Sequence, residues 1–338
     1  MKHHAPTIGL IPSHKGIPTM RATSLLFLFL LLLAPALWAA PVGQDPYTQE
    51  MDHVYATIDG KDFLMDIFVP TGENRHEFFK PTDHGKGYAI IDIISGGWNS
   101  ARGRLDEHKG FQTFGIYCAR GYTVFAVRPG TKGEYPMMDM VTHIKAAIRY
   151  IKANAAKYNI DPDKIGLMGA SAGGHLALLT TLTAEPAQPD AADPLLHHST
   201  DIAAAGIFFP PTDFLNWEGK DLNQIREIIG DILFPTDLAT KSDEELLAAA
   251  KAASPITYVK KIDTPFLFFH GDVDPVVPLQ QSEIMVAALK DAGNDAQLVV
   301  KKGGAHPWLT MPQEIITLAD WFDAHLSGKA VPPVLASK

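Results

Sequence analysis

From about residue 50 onward, short apolar runs alternate with longer segments of helical period, and turn residues separate them. Asp62 to Val69 alternates with a period of two and, with Asp59-Gly60-Lys61 as the turn, predicts a β-hairpin over 54–70. The run Tyr88-Ala89-Ile90-Ile91-Asp92-Ile93-Ile94 predicts a buried strand over 88–94. An amphipathic helix is expected over 111–120, leading through Gly121 into a strand from Tyr122 to Val127. Pro136 starts a long helix, roughly 137–157, with Met140, Ile144, Ala147, Ile148 and Ile151 on one face. Three further strands are expected: Ile165 to Met168, 203–209, and Thr264 to Phe269, with Gln297-Leu298-Val299-Val300 as another after them. Strands alternating with helices predict an α/β fold with a mainly parallel twisted sheet and helices on both faces.

The stretch from about 212 to 258 interrupts this rhythm. It opens with Asp213-Phe214-Leu215-Asn216-Trp217 and carries helical segments near 221–232 and 242–251. Lying between two strands of the sheet, it reads either as a small helical lid over the site or as an ordinary helical excursion. The lid is the favoured expectation.

Candidate chemistry enters at Gly169-Ala170-Ser171-Ala172-Gly173, which follows a strand and precedes the helix formers of Gly174-His175-Leu176-Ala177-Leu178-Leu179. Strand, sharp turn and helix with a serine at the apex is the context a nucleophile elbow requires. A serine hydroxyl needs a base, and the base needs an orienting acid. Both follow in that order. The strand ending at Phe269 runs into His270-Gly271-Asp272-Val273-Asp274-Pro275-Val276-Val277-Pro278, a loop with two carboxylates. The strand ending at Val300 runs into Lys301-Lys302-Gly303-Gly304-Ala305-His306-Pro307-Trp308. Ser95-Gly96-Gly97-Trp98-Asn99 after the strand 88–94 supplies a glycine-rich turn for an oxyanion hole. Ala172 is expected to donate one N–H, and Gly97 or Trp98 the other.

These residues resemble the α/β-hydrolase esterases of the acetyl-xylan or feruloyl esterase type, near the hormone-sensitive-lipase-like and carboxylesterase groups. The resemblance covers roughly residues 50–325. It is carried by Ser95-Gly96-Gly97-Trp98, Ile160-Asp161-Pro162-Asp163-Lys164-Ile165, Gly169 to His175, His270 to Pro278, and Gly304-Ala305-His306. It implies that Asp274, rather than Asp272, is the acid that orients His306. It also implies short acyl groups, such as acetyl or feruloyl esters of polysaccharide. Ser95 stands where the family usually has a histidine.

Bulk properties narrow the setting. Leu25 to Leu33 is entirely Leu and Phe, with Arg21 before it and Ala34-Pro35-Ala36-Leu37-Trp38-Ala39-Ala40 after it. This predicts a signal peptide over 1–40, with Met20 as an alternative start, and hence a secreted or periplasmic protein. The apolar run is shorter than the roughly 20 residues that span a bilayer, so no stable membrane insertion is expected after cleavage. Residues 41–338 then form one domain. Cys118 is the only cysteine, so no intrachain disulfide can form, and it reads as packing. The formal net charge of −9 argues against nucleic acid as a partner. A small ester or an acylated carbohydrate is the expected partner.

No cofactor is required by this chemistry. No metal is expected either, since His197-His198 lacks a nearby third ligand. His175 reads as structural, and His270 as a support for the acid loop. Asp139 is expected to pair with Arg128. Trp98, Trp217 and Trp308 fall in loops near Ser171 and read either as packing or as a face for a sugar ring or aromatic acyl group. Two rival functions remain: a prolyl-oligopeptidase-like exopeptidase, and a binding protein on a hydrolase fold.

Overall fold

A computed structural model describes residues 45–72 and 82–328. The expected leader over 1–40 lies outside these residues. The first two strands, β1 (Tyr47–Ile58) and β2 (Lys61–Pro70), form the expected hairpin. Asp59 and Gly60 at its tip both have positive φ, 50° and 75°, as a two-residue type I′ turn demands. β1 begins earlier than the alternation suggested. It is an edge strand, much of it exposed and irregular around Asp52, so its pattern is faint.

The remaining strands are β3 (Ala89–Ile93), β4 (Thr123–Arg128), β5 (Ile165–Ala170), β6 (Ala204–Phe208), β7 (Phe266–Gly271) and β8 (Ala296–Lys301). They form one eight-stranded sheet in the order β1-β2-β4-β3-β5-β6-β7-β8. β2 is antiparallel to both of its neighbours, and the strands from β4 to β8 run parallel. From β3 the chain steps to β4 on one side, then returns to place β5 on the other. Such a reversal opens a crevice at the carboxyl ends of the two flanking strands. The glycine-rich turn follows β3 there, and Ser171 follows β5.

Both faces of the parallel strands are covered, so these strands are apolar throughout rather than alternating. On one face, Ile91, Ile93, Leu167, Ile207 and Phe268 pack with α3 (Met137–Ala153) and α5 (Ala172–Leu182). On the other, Ile90, Met168, Phe208 and Phe269 pack with α2 (Thr113–Cys118) and α9 (Met311–Ser327). The remaining helices are α1 (Arg102–Gly110), α4 (Ala155–Tyr158), α6 (Leu222–Leu233), α7 (Asp243–Ala253) and α8 (Gln280–Asp291). Among the described residues, no helix is long and apolar enough to cross a membrane.

Two sequence expectations are corrected here. The helix over 111–120 is the six-residue α2, preceded by α1, which hydrophobic pattern did not reveal. Leu105 is the only buried residue of α1, and Gln112 at φ 62° separates the two helices. Arg128 pairs not with Asp139, which is exposed, but with Asp52 and, at 3.5 Å, with the buried Asp66.

The stretch 212–258 is a helical insertion whose two ends meet. The Ile256 N–H donates to Thr212 C=O at 3.2 Å, and the Phe214 N–H to Ser254 Oγ at 3.0 Å. Gln281 of α8 accepts from the amides of Thr212 and Asp213, each at 2.8 Å. Each insertion helix begins in a capping box, Asp221 with Gln224 for α6 and Ser242 with Glu245 for α7.

Candidate active site

Ser171 sits between β5 and α5 at φ 54° and ψ −121°, a backbone conformation that a residue with a side chain seldom adopts. Neighbouring bonds hold it there. The Ser171 N–H donates to Phe208 C=O at 2.9 Å, and the Gly173 N–H to Ser95 C=O at 3.0 Å. The glycines beside it are set by space. A Cβ on Gly169 would lie 2.4 Å from the Gly173 carbonyl group, and one on Gly173 would lie 2.5 Å from the Ile93 oxygen. Strand, turn and helix therefore close on each other so tightly that only hydrogen fits.

His306 faces this serine. Its Nε2 is 2.9 Å from Ser171 Oγ, and its Nδ1 is 2.6 Å from Asp274 Oδ2. The other Asp274 oxygen accepts from the amides of Val276 at 2.8 Å and Val277 at 3.0 Å. Burial pushes this carboxyl up, but hydrogen bonds from His270, His306 and the Val277 amide outweigh it and hold Asp274 well below the usual carboxylate range. An ionised carboxylate only accepts, so Nδ1 carries the imidazole proton and Nε2 turns its lone pair toward the serine hydroxyl. This arrangement can deprotonate Ser171.

The two carboxylates of the acid loop have different tasks. Asp272 Oδ1 accepts from the Gly303 N–H at 2.6 Å and ties the acid loop to the base loop. His270 braces the same region. It is fully buried, with Nδ1 2.7 Å from Ser282 Oγ and Nε2 2.9 Å from Val277 C=O. The loops touch at a pair of glycines, where a Cβ on Gly271 would lie 2.1 Å from the Gly304 oxygen. Gly271→Ala must therefore force β7 and β8 apart at the site. The expected result is a loss of about 1–3 kcal/mol of stability, in the range of other overpacked sites. A fall in turnover should accompany it, because Asp274 and His306 lie on opposite sides of this contact. Urea unfolding and steady-state kinetics on one preparation check both.

The turn after β3 is closed by a reciprocal pair: the Gly96 N–H donates to Asn99 C=O at 3.0 Å, and the Asn99 N–H to Gly96 C=O at 3.1 Å. Gly97 and Trp98 between them both have φ 56°, a type I′ geometry. Among the described residues, the amides of Gly97, Trp98 and Ala172 donate to no protein acceptor. They are N–H groups left free where the turn meets the start of α5. Ser95 supports the turn through its carbonyl, which holds Gly173, while its buried hydroxyl finds no partner among the described residues.

The three tryptophans expected near Ser171 are nearly closed to solvent and held by neighbouring side chains. Trp98, Trp217 and Trp308 are only 6–7% exposed. The Trp98 indole N–H donates to His175 Nδ1 at 3.3 Å, and the Trp308 indole N–H to Glu314 at 2.8 Å. Trp217 stacks on Phe214 at 5.9 Å and 13°. Each is packed against its neighbours, an orientation that loop position alone does not disclose.

Phe209 is the residue that sequence reasoning missed. Its ring lies 4.4 Å from the His306 ring, and its backbone is held at φ 35° while its N–H donates to Phe269 C=O at 2.7 Å. The only visible signal was a Phe-Phe-Pro-Pro run at the end of β6, which carries no chemistry of its own.

A family model described as BD-FAE matches residues 77–289, ending before the loop that carries His306. Esterase LipQ of Mycobacterium tuberculosis is 37% identical over 157 residues, covering 45% of this chain and 34% of LipQ. The chain spans between about a third and three-fifths of the curated relatives it matches. A truncated carbohydrate esterase from gut microbiota superposes with a TM-score of 0.69 at 25% identity, covering 84% of this chain and 99% of that one. The propionate-bound Est2 esterase of Thermogutta terrifontis has a TM-score of 0.58 at 27% identity, covering 87% and 97%.

Proposed function

Because the chain belongs to the BD-FAE family, we propose that it is a serine esterase that hydrolyses short-chain carboxylic esters through an acyl-enzyme. The observation that carries this reading is the line of hydrogen bonds from Ser171 through His306 to Asp274. His306 takes the hydroxyl proton as Ser171 Oγ attacks the ester carbonyl carbon. Asp274 stabilises the resulting imidazolium. The amides of Ala172 and of Gly97 or Trp98 receive the developing oxyanion. The imidazolium then protonates the leaving alkoxide, the C–O bond breaks, and the acyl group stays on Ser171. Water, deprotonated by His306, attacks the acyl-enzyme, and the carboxylic acid leaves as the serine is restored.

Acetyl or feruloyl esters of polysaccharide are the substrate class we favour. The carbohydrate esterase among the structural neighbours supports a glycosyl alcohol, and the propionate in Est2 supports a short acyl group. The apolar segment Leu25 to Leu33 supports a secreted or periplasmic location. The test is a p-nitrophenyl ester series from acetate to dodecanoate, run beside methyl ferulate, acetylated xylan and an aminoacyl anilide. The expected outcome is kcat/KM falling with acyl length and no anilide cleavage. Anilide cleavage without ester preference would move the assignment to a peptidase, and silence on every substrate to a binding role.

A further inference from the structure

Trp98 is a bulky residue at positive φ, in the turn whose amides stand ready for an oxyanion. Such a backbone persists only when its surroundings hold it. Two bonds do so. The Lys132 N–H donates to Trp98 C=O at 2.8 Å. The indole N–H donates to His175 Nδ1 at 3.3 Å. His175 is fully buried on α5, and its N–H donates to Ser171 C=O at 2.9 Å, one turn after the nucleophile. Its Nε2 is 2.8 Å from Ala253 C=O, at the last residue of α7 in the helical insertion.

One ring nitrogen thus accepts and the other donates, which only the neutral imidazole can do. Burial agrees with this, lowering the His175 pKa from 6.5 to about 4. The insertion reaches the turn by a second route as well. Lys132, whose amide holds the Trp98 carbonyl, pairs through its ammonium with Asp231 of α6 at 3.0 Å.

We infer that His175 is a positioning residue for the oxyanion turn, holding Trp98 through its indole N–H while anchored to the helical insertion at Ala253. The inference rests on the esterase reading above. On this view the insertion helps to set the oxyanion donors. His175 touches no reacting atom. It acts by fixing where the Gly97 and Trp98 amides point.

The test compares His175→Phe, His175→Gln and Trp98→Phe in the full chain, with p-nitrophenyl acetate as substrate and an alkyl trifluoromethyl ketone as an oxyanion-forming inhibitor. His175→Phe is expected to lower kcat by about a hundred-fold, the scale of a roughly 1 Å misplacement. KM should stay within about twofold, and inhibitor affinity should fall with kcat. His175→Gln offers one acceptor and one donor, as the neutral ring does, and should recover most of the loss. Trp98→Phe keeps an aromatic ring, smaller than the indole, and removes the donor. It should reproduce the loss and add little in the His175→Phe background.

Folded His175→Phe with kcat near wild type overturns the inference. So does a loss that Gln fails to recover, or losses at positions 98 and 175 that multiply. If His175→Phe does not fold, Trp98→Phe decides: unchanged kcat and inhibitor affinity refute the inference. Wild-type protein without ester turnover would instead bring down the esterase reading, and this inference with it.

Discussion

Ser171→Ala should lower ester turnover by about a million-fold, as removal of a triad serine does elsewhere, and leave the fold intact. Both halves of that expectation follow from the elbow. Ala at position 171 pays the same backbone cost at φ 54° as Ser does, and the amide bonds from residues 171 and 173 to Phe208 and Ser95 do not involve the hydroxyl. What disappears is the side-chain partner of His306 Nε2. In the mechanism proposed above, no acyl-enzyme can form without Oγ, and the turn amides are left with a carbonyl that only bulk water can attack. Turnover of p-nitrophenyl acetate beside a thermal melt checks the two halves separately. A variant that melts with the wild type yet keeps its ester turnover would remove Ser171 from the chemistry.

Asp274→Asn should cost about ten-thousand-fold in kcat, the size of effect that follows when a triad base is held in the wrong tautomer. In this protein the geometry says how. One Asp274 oxygen is committed to the amides of Val276 and Val277, so an Asn side chain must keep its oxygen there to satisfy them. Its NH2 then faces His306 Nδ1, where the carboxylate oxygen sat at 2.6 Å. Two donors cannot face each other. Nδ1 must become the acceptor, the proton moves to Nε2, and Nε2 can no longer take the proton of Ser171. Binding should change little, so the loss belongs in kcat. Asp272→Asn is the control. Asp272 has no bond to His306 and braces Gly303 with an oxygen that Asn retains. Equal losses from the two variants would refute the division of roles.

The same residues mark where sequence was legible and where it was not. Ser171 stood out because its surroundings were written in residue types: an apolar strand, glycines where nothing larger fits, then helix formers. The hairpin was legible because a turn with two positive φ values calls for Asp-Gly. The site was foreshadowed by order along the chain, with acid and base on successive loops.

Other features depended on packing that pattern does not encode. Asp272 and Asp274 are chemically identical neighbours, and the residues alone did not separate them. Only the bonds to Gly303 and His306 give them different work. The three tryptophans lay in loops of the right neighbourhood, but which way a ring faces is decided by its neighbours. Helix α1 buries only Leu105 and so shows no period. Arg128 found Asp52 across an irregular edge strand rather than Asp139 nearby in the chain.

Because Asp221 and Ser242 start α6 and α7 from residues within the insertion itself, its helical content does not have to be borrowed from the sheet. Its ends are closed at Thr212 and Ile256, and closing a longer loop costs only about 0.6 kcal/mol per doubling of length. The segment between them is laid out as an exchangeable cassette. One condition limits the exchange: whatever replaces it must still present a backbone carbonyl to His175 where Ala253 does now.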